Sequence, residues 1–402
     1  MLHTNMLQVV SDIEDISFYG KTVMMRVDFN VSVNNSSVGE DYRIRMSVPT
    51  IDYLTKRGSK VVLASHLGRP KGTDIRYSLA PVAKRLSDIM GESRVRFASD
   101  SVGNIVYEQI KKMNKGDILL LENLRFHKEE ELNDPIFSEQ LATLADMYVN
   151  DAFSTSHRRH ASTYGAAKLF DIRLAGFNLD KELKYLSMIK QNPVRPFTLV
   201  IGGAKIKDKI GALENLLPKA DRVLIGGAVA YTFLKVKGLK TGNSSIDFEH
   251  LAWVGKALST FGDKIKLPSD HIIATSLNDH SASLVRGDIP DGMAGFDIGN
   301  ETVQAYSAEI GGKGFGTVFW NGPMGLFEIG LFANGTINVA KSMALAFWRG
   351  SNTLIGGGDT LEAMKKAGVS EAEVSHASTG GGATLRYLAG DEMPGLVVLN
   401  KK

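Results

Sequence analysis

Short apolar runs alternate with amphipathic stretches through the first half of the chain. The runs lie at 23–27, 60–64, 118–121 and 147–149, and segments such as 79–90 and 136–144 repeat apolar residues at helical spacing. Strands that alternate with helices are typical of βα units on a parallel sheet. We therefore predict that the first half forms an α/β domain.

Polar side chains follow each predicted strand directly. In open α/β sheets ligands bind at the carboxyl ends of the strands, so these side chains should converge on one rim. Guanidinium groups offer paired donors to phosphate and carboxylate, so a rim with several arginines predicts a small anionic ligand. The residues are Asp28, Asn30, His66, Arg69, Glu122, Asn123, Arg125, Asp151, His157, Arg158, Arg159 and His160.

Simpler interpretations stay open for the same residues. A single arginine after a strand is usually a solvated surface group, and His66, His157 and His160 could be packed or capping histidines. Their spacing does not match that of a zinc site. We interpret the charged run at 128–131 as an exposed helix face.

The second half runs four times from a strand-like stretch into a glycine cluster. The clusters are TLVIGGAK (198–205), RVLIGGA (222–228), TLIGGGDT (353–360) and ASTGGGAT (377–384). Glycine has no Cβ, so a turn at the end of a strand can point several N–H groups at an anion and pass it to the next helix N-terminus. The repetition predicts phosphate-binding turns.

A connecting helix separates the two halves. Four apolar residues recur at three-to-four-residue spacing between 179 and 189, and Pro193 follows. We expect domains at 1–177 and 193–384, a connecting helix at 178–192, and a ligand cleft that closes by hinge motion. The predicted fold class is α/β, with two doubly wound, Rossmann-like parallel-sheet domains joined by a helix.

Composition removes several classes of protein. A chain of 402 residues with 43% hydrophobic residues can bury two ordinary cores. It has no cysteine, so disulfides and thiolate metal sites are excluded. The early apolar patch at 6–10 is too short for a signal-peptide core and no stretch is long enough to span a membrane, so we expect a soluble, cytoplasmic protein. A net charge of +3 indicates no polycationic arm.

Two familiar nucleotide-binding signatures are absent. Gly20, Lys21 and Thr22 end like a P-loop, but Asp15 stands where the first glycine belongs. No G-x-G-x-x-G follows a strand, and there is no H-R-D or D-F-G set, so neither a dinucleotide fold nor a protein kinase is indicated.

Nine colinear motifs resemble the phosphoglycerate kinase family. They run in order from about residue 20 to the C-terminus. They are RVDFNV (26–31), DYRI (41–44), SHLGRP (65–70), ENLRF (122–126), DAF (151–153) with HR (157–158) and HAS (160–162), GGAK (202–205) with DKI (208–210), WNGPMG (320–325) with FE (327–328), GGGDT (356–360) and STGGGA (378–383).

The resemblance implies a kinase that moves the acyl phosphate of 1,3-bisphosphoglycerate to Mg-ADP, giving 3-phosphoglycerate and ATP. It implies that the glycerate ligand is held by Asp28, Asn30, Arg43, His66, Arg69, Arg125 and Arg158. It implies catalytic roles for Arg43, Lys205, Gly358 and Gly381, and a magnesium contact for Asp359. The nucleotide would be held by Lys205, Lys209, Gly226, Gly227, Asn321, Pro323, Glu328, Gly357, Gly358, Asp359 and Thr360. By the same resemblance, residues 385–402 return to the first domain and the chain is a monomer.

This chemistry explains why no general base stands out. The attacking oxygen is already ionised in either direction, so catalysis reduces to alignment and to neutralising charge on a metaphosphate-like transition state. Lys205 and Lys209 are four residues apart, which places them on one helical face where a bound anion would relieve their repulsion. Asp359 could also serve as a helix N-cap.

Some positions depart from the usual family pattern. Ser32, Ser154, Ser156, Arg159 and Asn300 differ from it, and none of them removes a charge assigned to catalysis. Two alternatives remain: a non-catalytic nucleotide-binding or moonlighting protein that kept the fold, and a nucleic-acid-binding protein. The latter would need stacking aromatics beside the arginines, and only Phe126 and Phe153 are so placed.

Overall fold

The computed structural model describes residues 7–12, 16–34, 36–91, 94–312 and 314–400. The chain forms two compact units, the first comprising Met1–Leu183 and Glu392–Lys402 and the second Lys184–Asp391. The helix expected at 178–192 spans Phe177–Gln191, and the boundary between the units falls within it. Each unit contains a six-stranded parallel sheet and interspersed helices, which confirms the α/β fold class.

In the sheet of the first unit, the strand that comes first in the chain, Thr22–Arg26, lies at the centre. From edge to edge its parallel strands are Val95–Phe97, Ile118–Leu120, Lys60–Ala64, Thr22–Arg26, Met147–Asn150 and Arg173–Ala175. Central strands such as Thr22–Arg26 are buried almost throughout, as expected when helices cover both faces of a parallel sheet. The strand order reverses between Thr22–Arg26 and Met147–Asn150, so a ligand site is expected beyond their carboxyl ends.

Among the described residues of the first unit, five helices lie between or beside these strands. They are Tyr42–Lys56, Ala80–Met90, Asn104–Lys111, Lys128–Leu132 and Pro135–Ala142. The end of the chain adds the short helix Pro394–Val397 to this unit. There the Gly395 N–H donates to the Ser156 carbonyl at 2.8 Å, and Arg159 pairs with Glu392 at 2.6 Å.

The sheet of the second unit has a similar plan. From edge to edge its parallel strands are Ile265–Lys266, Arg222–Ile225, Phe197–Ile201, Thr317–Asn321, Asn352–Gly356 and His376–Ser378. All four predicted glycine clusters follow strands of this one sheet. The order reverses between Phe197–Ile201 and Thr317–Asn321, which marks the expected ligand position.

Seven helices and a small antiparallel sheet complete the part of the second unit that the structure describes. The helices are Ile210–Leu216, Gly227–Val236, Leu251–Phe261, Asn300–Gly311, Asn334–Trp348, Gly358–Lys366 and Gly382–Ala389. The small sheet has the order Ser283–Arg286, Asp270–Ala274, Ala294–Ile298. A large apolar core that includes Trp320, Phe327 and Met343 packs around the main sheet. Within the described part of the chain, no helix is long and apolar enough to cross a membrane.

Candidate functional site

Polar residues that follow neighbouring strands of the first unit meet at the point where the strand order reverses. Asp28 follows Thr22–Arg26, and Ser154 follows Met147–Asn150. The Ser154 hydroxyl donates to Asp28 Oδ2 at 2.5 Å, and Arg43 donates to the same oxygen. This places Arg43, from the helix Tyr42–Lys56, beside the strand ends.

The loop that follows the strand Lys60–Ala64 is held by hydrogen bonds to two other segments. Asn30 Oδ1 accepts from the Gly68 N–H at 2.8 Å, and Arg125 donates to the Gly68 carbonyl at 2.6 Å. The neighbouring Arg69 side chain is exposed. Arg125 is 7% exposed, and its Nε is buried with no hydrogen-bond partner among the described residues. A buried guanidinium donor without a partner indicates a place for an anionic acceptor.

Burial and nearby arginines lower the pKa values of two histidines on this rim. Burial, followed by Arg26, Arg125, Arg158 and Arg43, lowers the pKa of His66 well below its usual value. The pKa of the half-buried His160 is lowered to about 3, again by burial first and then by the arginines. Burial first, and then the four arginines, therefore favour the neutral imidazole of His66.

Three of the strand-end residues predicted on the rim support the fold instead. Buried Glu122 accepts from Ser78 Oγ at 2.7 Å and from the Leu79 N–H at 2.8 Å. The Asn123 amide donates to the Leu67 carbonyl at 2.8 Å. Asp151 accepts from the Asn178 N–H at 2.9 Å at the start of Phe177–Gln191, and burial raises the pKa of Asp151 to about 8. Each of these side chains ties two backbone segments together, so its hydrogen-bonding groups serve the fold.

The interpretation of 128–131 as an exposed helix face was also wrong. Glu130 is 1% exposed, and its carboxylate accepts two hydrogen bonds from Ser162. Glu131 is half exposed and pairs with Arg125 at 2.8 Å. The charge run supplies counter-charges to the rim, a role that sequence spacing does not reveal because the partners are distant in the chain.

A cavity of about 720 Å³ lies at the corresponding end of the sheet in the second unit. It is lined by nine of the predicted residues, namely Lys205, Lys209, Asn321, Pro323, Gly357, Gly358, Asp359, Thr360 and Gly381. Arg386 and Asp391 line it as well and were missed, because neither lies in a glycine turn. The helix Gly382–Ala389, which carries Arg386, was visible in the sequence only through its first glycines.

Glycine geometry shapes this cavity. Gly357 and Gly381 have φ of +102° and +54°, and each precedes the first residue of a helix. Gly322 has φ of +94°, and a Cβ there would lie 2.3 Å from the Gly202 carbonyl oxygen. The first N–H groups of a helix have no partner within it, so these turns provide donors for phosphate oxygens.

The two lysines do not lie on one helical face, contrary to the prediction. Lys205 lies in the loop before the turn Lys207–Lys209, and the helix begins at Ile210. Both lysines still line the cavity. Burial lowers the pKa of Lys209, and nearby Asp208 and Asp359 oppose that shift.

Asp359 lies in the first turn of Gly358–Lys366, whereas the N-cap is Gly357. Its carboxylate is therefore not needed as the cap. The described residues contain no cluster of three or more acidic or histidine side chains that could hold a metal by themselves. One carboxylate fits Mg²⁺ that arrives with a nucleotide, since Mg²⁺ usually keeps waters and binds one or two carboxylates plus substrate phosphates.

Three predicted nucleotide residues lie outside the lining of this cavity. Gly226 and Gly227 pack against the loop after Thr317–Asn321, where a Cβ on Gly227 would lie 2.7 Å from the Pro323 carbonyl oxygen. Glu328 is exposed, and its carbonyl accepts from Lys366 at 2.9 Å. The residues predicted to contact phosphates are thus brought together, while Gly226, Gly227 and Glu328 are not part of the cavity.

Comparisons with known proteins agree over almost the whole chain. The phosphoglycerate kinase family profile matches residues 13–391. A phosphoglycerate kinase of Chlorobium limicola is 46% identical over 395 residues, which cover 96% of this chain and 98% of that protein. One from Nostoc sp. is 43% identical and covers 98% of this chain and 99% of its own length.

Solved structures give the same result. The phosphoglycerate kinase of Coxiella burnetii has a TM-score of 0.83 and 34% identity, and the match covers 96% of this chain and 98% of that chain. That of Pyrococcus horikoshii has a TM-score of 0.82 and 32% identity with the same coverage. The motifs, the fold and these full-length matches agree, and the chain belongs to the phosphoglycerate kinase family.

Proposed function

We propose that the first unit binds 3-phosphoglycerate or 1,3-bisphosphoglycerate and that the second binds Mg-ADP or Mg-ATP, with reversible transfer of the acyl phosphate between them. The observation that carries this assignment is the separation of two anion-binding arrangements. One is the arginine and histidine rim of the first unit, and the other is the glycine-turn cavity of the second.

The glycerate ligand would bind to the guanidinium groups of the rim. Arg125 has a buried Nε to offer, and Arg43 and Arg158 supply further guanidinium groups. Asp28 would accept from the ligand hydroxyl, and the Asn30 amide would donate to it, since Asn30 Oδ1 already accepts from Gly68. Exposed Arg69 would reach the ligand phosphate. A neutral His66 suits a site already rich in cations, since it can donate a hydrogen bond without adding charge.

The nucleotide phosphates would occupy the cavity of the second unit. Lys205 would contact the transferring phosphoryl group and Lys209 the neighbouring phosphates, while the backbone N–H groups of Gly358 and Gly381 would face the developing charge. Asp359 would hold Mg²⁺, which neutralises phosphate charge when bound. Gly226, Gly227 and Glu328 would complete the nucleoside end of the site.

No side chain needs to act as a general base in this scheme. Both possible nucleophiles, a carboxylate and a terminal phosphate, are ionised at pH 7. The residues therefore position the reacting groups and offset negative charge, which is the usual basis of phosphoryl-transfer catalysis. We also propose that the chain acts as a monomer on these small molecules, a proposal that sedimentation velocity would test.

A coupled assay tests the assignment directly. ATP-dependent phosphorylation of 3-phosphoglycerate is measured with a dehydrogenase that removes the product. Arg43→Ala should lower kcat/KM by about two decades, because it removes a charged contact made in the transition state. Arg45→Ala is the matched control, since Arg45 lies two residues along the same helix and pairs with Asp41. Binding of Mg-ATP without any turnover in the wild-type protein would contradict the kinase assignment and favour a non-catalytic nucleotide-binding protein.

A further inference from the structure

A buried chain of hydrogen bonds runs beneath the rim of the first unit. Glu130 Oε1 accepts from the Ser162 hydroxyl at 2.6 Å, and Glu130 Oε2 accepts from the Ser162 N–H at 2.9 Å. Ser162 Oγ in turn accepts from Arg26 Nε at 2.8 Å. Arg26 contacts His66 Nδ1 at 3.1 Å. The four side chains are between 0% and 6% exposed, so bulk water does not replace these contacts.

The direction of each hydrogen bond follows from chemistry. A guanidinium group has donors and no acceptor, so Arg26 must donate both to Ser162 Oγ and to His66 Nδ1. Ser162 has one hydroxyl hydrogen, and because its oxygen already accepts from Arg26, that hydrogen goes to Glu130. Burial raises the pKa of Glu130, but both of its oxygens face donors and Arg26 is near, and these contacts favour the carboxylate and oppose that rise.

The same reasoning fixes the tautomer of His66. Since Nδ1 accepts from Arg26, the ring proton lies on Nε2, which remains as a donor. An Nε2–H group is what an anionic ligand on the rim requires, whereas the opposite tautomer would present a lone pair to the anion.

We propose that Glu130 is a positioning residue for the glycerate site, because through Ser162 it holds Arg26 and through Arg26 it fixes His66 as an Nε2–H donor to the anionic substrate. The inference rests on the proposed binding of 3-phosphoglycerate by the first unit. Glu130 does not itself touch the ligand in this scheme. Its second effect is to neutralise one buried arginine, so that the guanidinium is held in a single orientation.

The burial of Glu130 is also expected of a purely structural residue. The test therefore needs a measurement that does not change when only the stability of the protein changes. The tautomer of His66 gives that signal, because the ¹⁵N shifts of Nδ1 and Nε2 differ between tautomers. The signal is assigned among the nine histidines of the chain by its loss in His66→Asn. We expect the wild-type protein without substrate to show His66 as the Nε2–H form. In Glu130→Gln we expect a mixture of tautomers.

Binding provides the second measurement. Glu130→Gln should raise the calorimetric Kd for 3-phosphoglycerate by about tenfold, by analogy with residues that orient metal ligands from behind, with the Kd for Mg-ADP unchanged. Glu129→Gln is the matched control, since Glu129 precedes Glu130 in the same short helix and lies outside the chain of hydrogen bonds. Adding Glu130→Gln to Arg26→Met should raise the Kd no further, because the effect passes through Arg26.

The outcomes separate this proposal from the assignment of function. An unchanged His66 tautomer and an unchanged 3-phosphoglycerate Kd in Glu130→Gln would overturn the proposal. A lower melting temperature with both Kd values intact would do the same and leave Glu130 structural. If Glu130→Gln does not fold, Ser162→Ala breaks the same link while it keeps both charges, and the same two measurements decide. If the wild-type protein lacks turnover, the proposed function fails, while the ¹⁵N spectrum still supports or refutes the role of Glu130 in setting His66.

Discussion

The two units build their proposed anion sites by opposite means. In the first unit the donors are long side chains, and two of them are held by carboxylates or a carbonyl: Arg43 by Asp28, and Arg125 by Gly68 and Glu131. In the second unit seven of the twenty residues that line the cavity are glycines, four of them at positive φ, and helix N-termini lie beside two lysines. A site made of side chains needs buried counter-charges to hold its shape. A site made of backbone instead needs positions that no other residue can occupy.

The largest expected effect concerns Lys205, a charged side chain that lines the second cavity. Lys205→Ala should lower kcat by about two to three decades, because a charged contact to the transferring group is lost in the transition state. The coupled assay measures it at saturating substrates. Lys207→Ala, an exposed neighbour outside the cavity lining, is the control. Equal losses in both variants would mean that general surface charge, and not the placement of Lys205, matters.

The next effect tests whether backbone shape holds the second site. Gly322→Ala should lower the melting temperature by about 10 °C, since it combines positive φ with a Cβ placed 2.3 Å from the Gly202 carbonyl oxygen. Gly238→Ala has a similar φ of +85° and open space around the added carbon, so it should cost about 3 °C. Differential scanning calorimetry compares the two. Equal shifts would show that the close backbone approach contributes nothing.

A smaller effect tests how the first site is held by side chains. Ser154→Ala removes the 2.5 Å hydrogen bond to Asp28 but leaves the contact from Arg43. We expect the Kd for 3-phosphoglycerate to rise about fivefold, the value of one hydrogen bond to a charged group after partial compensation. Ser154→Thr keeps the hydroxyl and should bind like the wild-type protein. Tighter binding by Ser154→Ala would mean that the serine competes with the ligand for Asp28.

The same contrast explains how much of the structure the sequence predicts. The glycine turns could be predicted from the sequence alone, because a glycine run such as 356–358 after an apolar strand is typical of a tight turn at the end of that strand. The central strands were found too, since burial on both faces gives continuous apolar runs. The short edge strands Val95–Phe97 and Arg173–Ala175 were missed because each has only three residues and an arginine.

Side-chain partners were the harder part. In the sequence, Glu130 lies among other charged residues and its pattern predicts a solvent-exposed side chain. Its burial depends on Ser162 and Arg26, which are 32 and 104 residues away in the sequence. Glu122 and Asp151 read as rim residues because they follow strands, yet their carboxylates accept from backbone N–H groups. Local pattern identifies which residues carry charge, while the tertiary structure decides which charges face a ligand.

The most direct test of the two-site account is calorimetric titration of 3-phosphoglycerate and Mg-ADP into the same two variants. Arg125→Ala should weaken 3-phosphoglycerate about thirtyfold, as expected for truncation of a buried charged contact, and leave Mg-ADP unchanged. Lys209→Ala should weaken Mg-ADP about tenfold, the smaller loss expected for a partly buried charge, and leave 3-phosphoglycerate unchanged. If either variant weakens both ligands equally, or weakens only the other ligand, the assignment of one ligand to each unit is contradicted.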